Sequence, residues 1–217
     1  MAPNTDVTLV APESNASSRN WKEFVRSHQA VLAGTDFFTV EVFTLQGLVT
    51  FYVLFFIHLE SRRVEVAGIT AHPNEAWMEQ IAKNTSIDKW GFLESCRYLI
   101  HDRDTKCTDS FRAIIISRDV EPLELPVRSP NLSAFAECWV KSVKDECLSK
   151  LILFGEYSLR RALQEYLTHY YGERNYQGKD NLVLFPTTTT DTHTAHGSVA
   201  CRERLGALLR YYYQEAA

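Results

Sequence analysis

The sequence predicts an α/β protein built on a five-stranded mixed sheet, three antiparallel strands followed by two parallel ones, with helices flanking it. Three observations predict this. Strand-like runs follow one another from 35 to 70 with only short turns between them, the mark of a meander. From residue 98 onward strand-like and helical patterns alternate, which requires parallel pairing through crossovers. The middle run of the meander is apolar on both faces, so something packs on each side of the sheet.

Residues 1–17 carry Pro, Asn, Ser and Thr with little periodicity and read as a flexible leader. Trp21, Phe24, Val25, His28 and Leu32 then recur at three- and four-residue steps, predicting a short amphipathic helix ended by Gly34. Aromatic and β-branched residues crowd 35–43, which reads as the first strand. Leu45-Gln46-Gly47 supplies a turn, 49–59 the returning strand, Ser61-Arg62 another turn, and 64–70 the third strand. After His72-Pro73, Asn74 is placed to cap a helix reaching Lys83, with Ala76, Trp77, Ile81 and Ala82 as its apolar side. Residues 84–96 show no regular pattern.

Tyr98-Leu99-Ile100-His101 reads as the fourth strand, 110–117 as a short helix and 121–127 as the fifth strand. Pro126, Arg128, Ser129 and Pro130 break the pattern before a long helix that contains 134–144 and is stopped by Gly155. Ser158 caps a further helix to about Tyr171, with Leu159, Leu163, Tyr166, Leu167 and Tyr170 inward. The stretch 185–200 is polar, with threonine at every position from Thr187 to Thr190, and 204–213 is apolar but of mixed periodicity, with no element assigned to it. The expected division is a leader over 1–17, a core over 18–184, and a polar linker with C-terminal tail over 185–217.

At 217 residues, 45% apolar and 23% charged, the chain has the composition of an ordinary globular protein large enough for one well-buried domain. No secretory signal is expected, because the first twenty residues are polar. Asn15-Ala16-Ser17 matches a glycosylation sequon only by chance on that reading. The apolar run 48–57 is half of the roughly 20 residues needed to span a bilayer, so it reads as a buried strand. The cysteines, Cys96, Cys107, Cys138, Cys147 and Cys201, are odd in number and form no CxxC pair, which fits free thiols in a reducing compartment. The net charge of -4 gives no general affinity for phosphate, so any basic surface must be local.

Three acidic residues fall on these elements at chemically useful places. Asp36 sits on the first strand in Gly34-Thr35-Asp36-Phe37-Phe38, and Asp102 ends the fourth in His101-Asp102-Arg103-Asp104-Thr105-Lys106. Glu137 lies early on the long helix in Ser133-Ala134-Phe135-Ala136-Glu137, and 34 residues separate it from Asp102. With these residues placed, the span from Trp21 to Pro186 resembles the catalytic core of the DDE integrase and transposase superfamily, and most closely the integrase-core transposases of bacterial insertion sequences. In that family the last interval stays in the mid-thirties. The element order is then the ribonuclease H-like arrangement.

The resemblance implies metal-dependent cleavage and strand transfer of DNA, with Asp36, Asp102 and Glu137 as catalytic metal ligands. Mg²⁺ takes hard oxygen donors and usually one or two protein carboxylates, the rest being water and substrate phosphate. Two Mg²⁺ or Mn²⁺ ions about 3.5–4 Å apart clamp the attacking and leaving oxygens of an in-line displacement. Asp36 is implied to bridge both ions while Asp102 and Glu137 hold one each. The implied partners are DNA, both element ends and target, and further copies of the chain assembled on it, with no membrane. The implied location is the bacterial cytoplasm, in association with the nucleoid. A helix-turn-helix segment of the kind such transposases carry upstream is not among these residues, which leaves open a fragment, a decayed copy, or a split product with a separate helix-turn-helix subunit.

Lys141 and Lys144 follow Glu137 at i+4 and i+7, so they share its helix face; they read either as phosphate contacts or as partners in i,i+4 ion pairs on a solvated face. Between Arg97 and Lys150 nine basic residues balance nine acidic ones, and two divalent ions would tip that region to a positive charge. Lys106, Arg128 and Arg103 are further candidate DNA contacts. His101 reads equally as a substrate contact or a packed histidine. Asp104, two positions beyond Asp102, is read as lying past the strand end. Glu41, Asp145 and Glu146 read as surface carboxylates, and the His193 and His196 spacing beside Asp191 as incidental. Where the related transposases tend to carry an aromatic residue, an arginine and a histidine, this chain has Cys107, Cys138 and Tyr176. Two other readings stay open, an inactive DNA-binding or assembly remnant and a ribonuclease H-like nuclease acting on RNA–DNA hybrids.

Overall fold

The structure, a computed structural model, describes residues 18–87, 91–102, 106–125, 130–176, 182–185 and 198–214. The leader, Arg103, Asp104, Arg128 and the segment around His193 and His196 lie outside the described residues.

Its centre is a five-stranded sheet of order β3-β2-β1-β4-β5. The strands are β1 Leu32–Thr44, β2 Gly47–His58, β3 Val64–Thr70, β4 Tyr98–His101 and β5 Glu121–Glu124. β1, β2 and β3 pair antiparallel, while β4 pairs parallel to both β1 and β5. Helices α1 Ser18–His28, α2 Glu75–Thr85, α3 Asp109–Ile116, α4 Pro130–Glu146 and α5 Gly155–Gly172 surround it. This is the mixed sheet that the strand pattern predicts. Among the described residues no helix is long and apolar enough to cross a membrane.

Alternation along β1 and β2 separates two cores. Phe38 and Val42 of β1 join Val53, Phe55 and Ile57 of β2 on the face covered by α4 and α5, through Trp139, Val143, Leu159, Leu163 and Tyr166. Ala33, Leu54 and Phe56 face the other way, onto Met78 and Ile81 of α2 and Phe111 and Ile115 of α3. α1 closes one end, with Trp21, Phe24 and Val25 against Leu32, Tyr98 and Ile100. β2 is therefore buried on both faces, as its sequence requires. α2 can lie this close because Gly68 of β3 has no side chain; a Cβ there would stand 2.6 Å from the Trp77 ring. Asn74 caps α2 by accepting from the Trp77 N–H at 2.9 Å. Asn74→Ala is expected to cost about 1 kcal/mol, read as a lower urea midpoint at unchanged slope.

Several boundaries differ from the sequence reading. Gly34 does not end a helix; α1 stops at His28 and β1 begins at Leu32, because Leu32 through Thr35 pair with β4. α4 ends at Glu146, well short of Gly155, which instead opens α5 with a positive φ of 70°. Ser158 is inside α5, donating to the Gly155 carbonyl, and Phe154 is the residue before the helix. Ala76 is exposed and Met78 takes its place in the core. Residues 199–214, where the sequence suggested no element, form a hairpin of β8 Val199–Arg204 and β9 Leu209–Gln214, while Asn175–Tyr176 and Leu182–Val183 make a small pair, β6 and β7.

That hairpin is docked by charge. Glu173, only 3% exposed at its side chain, accepts from Arg204 Nη2 at 2.7 Å, Arg204 Nε at 3.0 Å and His169 Nδ1 at 3.0 Å. Arg204 also reaches Glu165 at 2.9 Å, and Leu209 enters the main core. Next to it Glu146, read from sequence as a surface carboxylate, is half-buried and gripped by both arms of Arg174, at 2.6 and 2.9 Å, with Tyr166 donating as well. Tyr171 ties α5 to β3 by bridging the Val64 N–H and carbonyl. All five cysteines are free thiols, as expected from their number and spacing. Burial pushes Cys96 up to about 11 and Cys147 up to about 12, so both are poor nucleophiles.

Candidate active site

The register of two parallel strands positions the first two carboxylates. β1 and β4 pair from Leu32↔Tyr98 to Thr35↔His101, so Asp36 and Asp102 are the residues that follow the last pair in register. Asp36 shares its sheet face with Phe38 and lies directly across from Phe55. It is half-buried, and its Oδ1 accepts from the Phe37 N–H at 2.7 Å. Asp102 is exposed at the carboxyl end of β4, where α/β sheets usually expose their ligands.

His101 settles as a packed histidine. It is 2% exposed, and its Nδ1 donates to the Asp102 carbonyl at 2.9 Å. A carbonyl cannot donate, so the proton sits on Nδ1, and the buried Nε2 has no partner among the described residues. The ring therefore fixes the backbone of Asp102 from the opposite sheet face, a role that sequence spacing does not reveal.

α4 crosses the sheet at the level of Asp36. The Trp139 ring packs 4.4 Å from Phe55 and 5.7 Å from Phe38, and Glu137 precedes Trp139 by two residues. Trp139, Val143 and Cys147 fill the core side of the helix as their spacing predicts, Phe135 is half-buried beside them, and Leu132 has no described side chain. That packing turns Glu137 roughly 140° round the helix from the mean direction of Trp139 and Val143, and Glu137 is exposed. Among the described residues no three His, Cys, Asp or Glu side chains stand close enough to hold a metal ion together. The register thus puts the backbones of Asp36 and Asp102 one step beyond the last β1–β4 pair, and Glu137 is exposed on the outer flank of α4.

As a donor set, two neighbouring carboxylates and no soft ligand suit a hard divalent ion completed by water and phosphate. A third carboxylate needs α4 to turn or a long Glu137 rotamer to reach inward.

The candidate DNA contacts divide. Neither Lys141 nor Lys144 makes a salt bridge among the described residues, so the i,i+4 pair with Glu137 is not formed. Lys144 reaches back to the sheet, its Nζ 5.7 Å from the Phe38 ring, two residues from Asp36 on the same face. Lys141 is exposed on the outer side of α4. Lys106 lies over Phe37 and Tyr52, at 5.4 and 5.5 Å, and so on the opposite sheet face from Asp36. Arg62, which no sequence signal marked, stacks its guanidinium 3.4 Å above Phe135 and brings a cation to the α4 side. Cys107 is buried in the α2–α3 core, Cys138 is exposed beside Glu137, and the Tyr176 side chain lies outside what is described.

No protein-family model matches this chain, and no curated protein matches it. Solved structures do. A chain of the simian T-cell lymphotropic virus intasome in complex with the PP2A regulatory subunit B56 gamma aligns at a TM-score of 0.54 and 10% identity, covering 86% of this chain and 67% of that one. The HTLV-2 integrase catalytic core domain in complex with magnesium aligns at 0.49 and 11% identity, covering 71% and 93%. The catalytic core domain of BIV integrase aligns at 0.49 and 12% identity, covering 69% and 88%. At such identities what is shared is the fold, the mixed ribonuclease H-like sheet with its flanking helices.

Proposed function

We propose that this chain is the catalytic core of a metal-dependent enzyme that cleaves and joins DNA strands, of the insertion-sequence transposase kind. The observation that supports the reading is the parallel β1–β4 register, whose last pair, Thr35↔His101, immediately precedes Asp36 and Asp102. The fold adds weight, since structures sharing it include an integrase core in complex with magnesium and an intasome.

In this reading Asp36 and Asp102 would hold a divalent ion, with Glu137 as the candidate third ligand, and the ion would supply Lewis acidity at the scissile phosphate. Lys144, assisted by Lys141, holds a non-bridging phosphate oxygen and keeps the backbone of the strand across β1. His101 holds the backbone of Asp102 in place through its carbonyl. The nucleophile is water for end cleavage or a DNA 3′-hydroxyl for joining, so no serine, cysteine or tyrosine is covalently involved. Partners are DNA ends, target DNA and further copies of the chain. The setting is a bacterial cytoplasm.

The test is incubation of the chain with a labelled DNA end and Mg²⁺ or Mn²⁺, reading nicked and joined products. Metal-dependent nicking with joining supports the proposal, while hydrolysis of RNA–DNA hybrids without joining selects a nuclease. Binding without any cleavage selects an inactive DNA-binding remnant.

His101 offers a finer check. His101→Leu removes the donor to the Asp102 carbonyl and is expected to lower turnover about 10–100-fold and weaken the apparent metal affinity. His101→Asn places an amide N–H near the same position and should recover most of both. A purely structural role would instead lower the melting temperature equally in the two variants.

A further inference from the structure

The β1–β2 ladder runs past the rest of the sheet. It pairs as far as Thr44↔Gly47, whereas β3 covers β2 only from Tyr52 to Ile57. Among the described residues, no strand lies on the outer edge of 47–51. On the other side of the overhang the chain before α5 runs along β1, with the Phe43 N–H donating to the Leu153 carbonyl at 2.9 Å and Phe43 bridging in parallel to Phe154. Alternation then sorts the side chains. Leu151 and Leu153 turn into the α4–α5 core. Leu48, Phe43, Phe154 and Ile152 face the other way, in a row across three adjacent extended segments.

α2 and α3 cover that face elsewhere but stop short of this row. Leu48 is 54% exposed, Phe43 49%, Phe154 68% and Ile152 72%, and Leu45 at the turn is fully exposed. The Phe43 and Phe154 rings lie 5.8 Å apart and tilted, so the row is one continuous surface. Single exposed apolar residues are ordinary, but a contiguous patch of this size marks an interface.

We infer that this overhang is a self-association surface whose occupant is a second copy of the same chain, packed face to face. Three observations favour that occupant. The row lies on adjacent extended segments, a face that sheet-on-sheet packing at about 10 Å covers, and such a face can meet its own copy across a two-fold axis. The row itself, Leu48, Phe43, Phe154 and Ile152, carries no charged side chain; Glu41, paired with Thr50, lies one step inward, and Lys106 lies beyond it over Tyr52. The size is also compatible: at about 150–250 Å² per side chain and these exposures, the row together with Leu45 gives two copies roughly 1,050–1,750 Å² between them, which brackets a standard interface.

The treatment of the other edges agrees. β5 carries Pro122 between Glu121 and Glu124, and β3 carries Glu65 and faces a bulge at Leu54/Phe55. Proline, charge and bulges keep chains from adding to an edge. Gly47-Leu48-Val49-Thr50-Phe51 has none of the three. The inference does not depend on the chain acting on DNA.

Sedimentation equilibrium without DNA or metal tests it. The wild-type chain is expected to show twice the mass of one copy at micromolar concentration, and Leu48→Lys with Phe154→Lys to raise the dissociation constant at least about 100-fold, as expected for the loss of two central apolar contacts. Ile116→Lys, which removes an exposed apolar side chain on α3 away from the row, should leave the dimer unchanged. If circular dichroism shows the double variant unfolded, Ile152→Lys alone reads the same face. A wild-type chain of single mass at every concentration overturns the inference, as does a dimer that survives in the folded row variants or is lost in Ile116→Lys.

Discussion

Asp36→Asn is expected to abolish metal-dependent DNA cleavage, by about 1,000-fold or more, while leaving the fold intact. The size follows from what the carboxylate does in the proposed site. A metal ligand contributes several kcal/mol of transition-state stabilisation, and each 1.36 kcal/mol is tenfold in rate. The substitution keeps the shape of the side chain, and its amide oxygen still accepts from the Phe37 N–H, the contact now made by Oδ1 at 2.7 Å. The melting temperature should therefore move little, which separates lost chemistry from lost structure. Asp102→Asn is expected to match it, since the two positions are equivalent steps of adjacent strands. Glu137→Gln is the informative third variant. A loss equal to that of Asp36→Asn means that α4 brings Glu137 inward when DNA binds. Full activity in Glu137→Gln, with Asp36→Asn and Asp102→Asn inactive, leaves a two-carboxylate site and removes Glu137 from the chemistry.

The second large effect is on stability. Glu173→Leu leaves Arg204 half-enclosed without its main counter-charge, and breaking a buried pair in this way costs about 3–5 kcal/mol. The loss should appear first as release of the β8–β9 hairpin, read as rapid proteolysis within 198–214 while the five-stranded sheet persists. Acid should do the same reversibly. Burial opposes ionisation of Glu173, but hydrogen bonds from Arg204 and His169 outweigh it and hold the carboxyl below the usual carboxylate range. A depressed folded-state value means that this stabilisation is fully present above the ordinary glutamate value of about 4.3 and is lost as pH falls through the lower one. Hairpin docking should therefore be flat from neutrality to about pH 5 and fail below about pH 4, and Glu173→Leu should erase that dependence.

Sequence reasoning recovered what depends on local spacing. β3 and β4 were read at their observed limits, and the inward side of α5 was read correctly because its apolar residues recur at helical steps. What it missed depends on distant partners. Leu32 and Ala33 read as the end of a helix until Tyr98 and Leu99 pair with them from far along the chain. The hairpin at 199–214 had no legible pattern because its inner face is held by Arg204 on Glu173 and Glu165, a charge network that hydrophobic periodicity does not detect. Glu146 looked solvated because Arg174 lies 28 residues away. For the site, Asp36 and Asp102 were legible as a pair of strand positions. The orientation of Glu137 was partly legible, since the same periodicity that buries Trp139 and Val143 turns Glu137 outward.

The pairing of β1 with β4 also sets an order of events during folding. β1 and β2 are joined by a tight turn and can zip together early, but Asp36 gains its neighbour only when β4 arrives across more than fifty intervening residues. Contacts so distant along the chain close late, because the loop entropy must be overcome before the strand contacts form. A chain emerging from the ribosome thus completes most of its antiparallel scaffold before its two aspartates meet, and a partly made copy holds no assembled acid pair.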